Sequence, residues 1–75
     1  MIILDAQLLK SYIVKHDKTQ RELAEAMDVS LSRLNAKINE TGGAEFSQGE
    51  IAFIKNRYNL SAEEINKIFF DIKVS

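Results

Sequence analysis

The chain has 75 residues, a net charge of −1 at neutral pH, 45% hydrophobic residues, no Cys, no Pro and three Gly. That length holds a single domain spanning residues 1–75, and the missing Cys excludes disulfides, thiolate nucleophiles and Cys-type zinc sites. The even balance of charge gives no bulk basic signal for nucleic acid, so any such signal has to be sought locally. The apolar start Met1-Ile2-Ile3-Leu4 stops at Asp5, and no stretch approaches the ~18 apolar residues of a membrane span. A protein of the cytoplasm, with no signal peptide and no membrane partner, is expected.

Five helices are predicted. Helix 1 is capped by Asp5 and runs to about His16, with Leu8, Leu9, Tyr12 and Ile13 on one face. Helix 2 runs from Thr19 to Met27. Helix 3 starts from Ser30 as N-cap and ends near Asn39. The Gly42-Gly43 pair, with Thr41 and Ala44, breaks it from helix 4, which runs from Ser47 to about Tyr58. Asn59 is a left-handed stop, and helix 5 runs from Ser61 to about Phe70. Three of these starts have a hydroxyl residue followed three positions later by Glu: Thr19 and Glu22, Ser47 and Glu50, Ser61 and Glu64. This is the capping-box pattern, and Phe46 with Ile51 and Leu60 with Ile65 add hydrophobic staples. The tail from Phe70 to Val74 alternates apolar and polar with period two. It reads either as a frayed end or as a short strand packing on the domain or on a second subunit.

Thr19 to Asn39 has the residues that a helix-turn-helix requires. Ala24 is small where the two helices cross. Val29 is the apolar residue that locks the turn. Leu23 with Met27 and Leu34 with Ile38 form the inward faces. The turn wants a positive φ, and Asp28 occupies it at a cost of order 1 kcal/mol relative to Gly.

The pattern Thr19-Gln20-x-Glu22-Leu23-Ala24-x-x-Met27-x-Val29-Ser30 resembles the helix-turn-helix of the phage Cro and repressor family, the XRE-like regulators. The family's usual Gly at the turn is Asp28 here. The continuation Leu34-x-x-Lys37-Ile38-Asn39, then Phe46-Ser47-x-x-Glu50-Ile51, is similar to small Cro-like proteins of phages of Gram-positive bacteria. The resemblance covers about Leu8 to Phe70. It implies an all-α, five-helix, lambda-repressor-like domain that binds an operator in double-stranded DNA as a homodimer. It also implies contacts from Gln20 and from the start of helix 3, at Leu31, Ser32 and Asn35.

The residues of helix 3 support that expectation by their chemistry. Once Leu34 and Ile38 point inward, Leu31, Ser32, Arg33, Asn35, Ala36 and Asn39 face out, with Lys37 flanking. From Val29 to Asn39 there are two bases and no acid. Ser32 and Asn35 suit base edges. Arg33 suits guanine or phosphate. Lys37 suits phosphate as a point charge, so Lys37→Ala is expected to flatten the salt dependence of binding by roughly one unit. Gln20, with Arg21 beside it, and the free amides of the first turn of helix 2 suit a backbone phosphate. Leu31 suits a thymine methyl or a protein partner.

Dimerisation is expected to use helix 5 and the tail, through Phe69, Phe70, Ile72 and Val74, with half-sites about 34 Å apart. An enzyme is not expected. No metal-ligand spacing, phosphate loop or nucleophile–base pair occurs, and no cofactor is implied. The dipole or solvent accounts for His16 at the end of helix 1, and the dipole for Glu63-Glu64 at the start of helix 5. The near-neutral charge leaves a second reading open: an antirepressor or repression modulator that acts by binding a partner repressor.

Overall fold

Ile2–Leu4 run extended as β1, and then Asp5 turns the chain into a helix. The structure is a computed structural model and describes residues 2–71. The Asp5 carboxylate accepts from the Leu8 N–H at 3.1 Å, capping α1 (Ala6–His16). Lys15 and His16 lie in its last turn, where positive charge suits the dipole. The turn closes through Lys18, which takes φ 71° and donates to the Ile13 carbonyl at 2.9 Å. This left-handed closure normally uses Gly or Asn.

Next come α2 (Gln20–Met27), α3 (Leu31–Asn39), a 3-10 turn (Thr41–Gly43), α4 (Gln48–Arg57) and α5 (Ala62–Ile68). Ser47 and Ser61 close full capping boxes with Glu50 and Glu64. Thr19 makes only half of one: its hydroxyl accepts from the Glu22 N–H at 3.2 Å, without the return bond. Asn59 stops α4 at φ 52°, as predicted.

Two corrections to the all-α expectation follow. Helix 5 ends at Ile68 rather than near Phe70, and Phe69–Asp71 form β2. β2 pairs antiparallel with β1 in the register Ile2 with Asp71, Ile3 with Phe70 and Leu4 with Phe69. The Asp5 N–H extends the ladder to the Ile68 carbonyl at 2.8 Å. The period-two alternation of the tail is therefore a strand at its start. Its partner, three apolar residues at the opposite end of the chain, is too short for periodicity to reveal.

The core gathers one face from every helix. Leu9, Ile13, Leu23, Leu34, Ile38, Ile54 and Ile68 are almost wholly buried, joined by Ala24, Phe46, Ile51, Tyr58, Leu60 and Phe69. Each large side chain so buried contributes roughly 1.5–3 kcal/mol. Phe46 and Phe69 meet edge to face, with ring centroids 5.3 Å apart, and tie the strand pair to the segment before α4. Among the described residues, no helix is long and apolar enough to cross a membrane.

A buried carboxylate holds the ends of α1 and α4 together. Asp17 accepts from Arg57 Nη2 at 2.6 Å, from Arg57 Nε at 3.1 and 3.2 Å, and from the Tyr58 hydroxyl. The Arg57 guanidinium holds the Asp17 carboxyl below its usual range, against burial and with help from Tyr58. Burial, then the bond to Asp17, pushes the Tyr58 phenol far up. The His16 ring stacks between Tyr58, at 4.7 Å, and Tyr12, at 6.1 Å. The Tyr12 hydroxyl donates to Glu64 at 2.9 Å, so the α5 cap also anchors α1.

Candidate nucleic-acid interface

The connection between α2 and α3 is three residues long, Asp28-Val29-Ser30. Asp28 is left-handed at φ 59° and ψ 42°, the conformation the turn requires. Its N–H donates to Glu25 at 3.1 Å, and the Val29 N–H donates to Ala24 at 3.0 Å. These two bonds close α2 and reverse the chain direction. Ser30 then returns to extended backbone, and its hydroxyl caps α3 by accepting from the Arg33 N–H at 3.1 Å. Val29 packs against the core, and Ala24 is buried where α2 meets its neighbours.

These restraints fix what α3 shows to solvent. Ser32, Arg33 and Asn39 are exposed, while Leu31, Asn35 and Ala36 are half-buried. Arg21 is exposed and Gln20 half-buried in the first turn of α2. Eight of the nine residues expected to face DNA therefore remain accessible on α2 and α3. Gln20 opens α2 and Leu31 opens α3, so the free amides of both first turns sit beside the side chains expected to act with them.

Lys37 is the exception and corrects the expectation. It is 7% exposed, and its ammonium is ion-paired with Glu50 of α4. The geometric reason is helical spacing. Position 37 lies three residues from Leu34 and faces inward as Ile38 does. Burial pushes the Glu50 carboxyl up, but the Lys37 ammonium and the Ser47 N–H outweigh this and hold it below its ordinary value.

Arg33 is therefore the one base on α3 that meets solvent, and it forms no ion pair among the described residues. Lys18 and Arg21 add exposed bases at the entry to α2. Lys18 was not anticipated; its position at the turn before Thr19 was the available signal. Glu22, Glu25 and Asp28 oppose these bases from α2 and its end.

The expected subunit interface fares differently. Phe69 is 5% exposed and belongs to the core against Phe46, which corrects its expected place in a subunit interface. Phe70 is the middle residue of β2. Ile72 and Val74 lie outside the described residues. Between the end of α2 and the start of α4, an open groove of about 260 Å³ is lined by Met27, Ser47, Gly49, Glu50 and Phe53. Phe53, at 37% exposure, presents an apolar ring to this groove.

No family model, curated protein or solved structure matches the chain.

Proposed function

We propose that this domain is a sequence-specific DNA-binding transcriptional regulator of the Cro-like type, with α3 as its recognition helix in the major groove. One observation carries this reading: the tight left-handed turn at Asp28 joins α2 to α3 and leaves Leu31, Ser32, Arg33, Asn35 and Ala36 on the open side of α3 without a single acid. A helix of this kind fits a groove about 12 Å wide. In this reading Ser32 and Asn35 hydrogen-bond base edges and Leu31 packs on a thymine methyl. Arg33 takes guanine or phosphate. Gln20, with Arg21, and the first-turn amides of α2 hold a backbone phosphate. Asn39 closes the contact strip at the far end of α3. The domain acts in the cytoplasm as a homodimer on two half-sites.

The experiment is a chemical-shift titration of the labelled protein with duplex DNA at low salt. The expected result is a set of shifted amides confined to Gln20–Glu22 and Leu31–Asn39. Shifts confined to α4 and α5 would contradict the reading.

A second reading, an antirepressor or repression modulator bound to a partner repressor, draws on one specific feature. With Lys37 neutralised internally, α3 presents one free base, fewer than DNA binders with several phosphate contacts usually carry. Shifts on α3 caused by a repressor protein and not by duplex DNA favour it.

A further inference from the structure

A lysine on the inward side of α3 asks for more than packing. The Lys37 side chain is 9% exposed and the Glu50 side chain 20%. Glu50 divides its two oxygens. Oε2 takes the Lys37 ammonium, and Oε1 takes the Ser47 N–H at 2.8 Å. Ser47 Oγ in turn accepts from the Glu50 N–H at 3.1 Å. One carboxylate thus joins the last turn of α3 to the first turn of α4. Lys37 also lines, with Leu4, Glu40, Glu45, Phe46 and Phe69, a part-open cavity of about 20 Å³, enough to hold a water.

The covalent route between the same two helices is exposed by comparison. Glu40, Gly42 and Gly43 all take positive φ, at 55°, 61° and 76°. Every residue from Glu40 to Glu45 is exposed except half-buried Ala44, and nothing lies within 4 Å of where a Cβ on either of these glycines would stand. Apolar packing of Leu34 and Ile38 with Ile51 and Ile54 also joins the two helices, and the ion pair adds the directional polar link between them. Buried ion pairs add little net stability, because desolvation offsets their attraction, and in some proteins they select one geometry instead.

We infer that Lys37 and Glu50 are a positioning pair, which sets the pose of α3 against α4 and so the presentation of Leu31, Ser32, Arg33 and Asn35 to DNA. The inference rests on the DNA-binding reading for its consequence, but not for its geometry.

The test compares wild type with the double variant Lys37→Met, Glu50→Gln. Met keeps the length of the stem, and Gln keeps the capping box, so only the ion pair is removed. The probe is the duplex enriched by wild type from a random-sequence pool. The expected double variant melts within about 5 °C of wild type. It binds that duplex about tenfold more weakly, with an unchanged slope of affinity against salt. Its amides from Ala36 to Phe46 lose protection from hydrogen exchange, while those of α1 keep theirs.

Wild-type affinity in the double variant overturns the inference. So does a slope reduced by about one unit, which marks Lys37 as a phosphate contact. A melting point far lower overturns it as well, because the pair then holds the fold rather than its geometry. If wild type enriches no duplex, the DNA-binding reading fails separately. Hydrogen exchange then decides the pair: unchanged protection from Ala36 to Phe46 overturns it, and local loss supports it.

Discussion

Asp28 adopts a backbone conformation that Gly adopts at no steric cost, and its side chain places a negative charge at the C-terminal end of α2, where the dipole disfavours it. Both terms point the same way. Asp28→Gly is expected to leave stability unchanged or raise it by up to about 1 kcal/mol, a rise of several degrees in melting temperature for a domain of this size. A clear fall would mean that the Asp28 carboxylate has a role of its own. Asp17 gives a prediction with pH. Its folded pKa is depressed, first by Arg57, so its contribution is complete above the unfolded value near 4 and is lost as pH falls through the lower folded value. Glu50 and Glu64 are also depressed and act in the same direction. Melting temperature should therefore hold from neutral pH to about pH 5 and decline below about pH 4, and Asp17→Asn should be less stable at neutral pH with a shallower acid decline. A decline as steep as wild type's would place the acid sensitivity elsewhere. At this scale the left-handed Asp28 and Asn59 were legible, because short polar residues tolerate that region. Lys18 and Glu40 were not, since nothing about their side chains favours positive φ.

The caps are what defined the elements in the sequence, and they order the helices by strength. Ser47 and Ser61 serve reciprocal boxes, while Thr19 serves half of one. Ser47→Ala and Ser61→Ala should each cost about 1 kcal/mol, and Thr19→Ala less, as read from denaturant midpoints at constant slope. Equal losses at all three sites would mean that the hydroxyl cap is worth the same with and without the return bond to Glu. Helix starts were readable to within a residue because capping is local chemistry between positions three apart. The strand pair was only half readable. Residues 70–74 alternate, but β1 is three apolar residues whose partner stands at the other end of the chain, and short-range periodicity carries no information about such pairing. The links between elements were also hidden, since Lys37 reaches Glu50 thirteen positions away and Asp17 reaches Arg57 forty away.

At the scale of the molecule, the domain is a five-helix core closed by a two-stranded sheet, with α2 and α3 presenting a thinly charged outer surface. The inward faces of both helices were legible from apolar spacing, and so were most of the outward residues. The internal use of Lys37 was not, because its spacing from Leu34 pointed inward while its partner Glu50 stood on another helix, thirteen positions away. The net charge of −1 places the whole case for DNA on local chemistry. Affinity for duplex DNA measured as a function of salt tests that case most directly. Binding at low salt is expected to fall linearly on logarithmic axes, with a slope about one unit shallower in Arg33→Ala and a slope unchanged in Lys37→Ala despite weaker affinity. Absence of binding at low salt, or binding indifferent to salt, would contradict it.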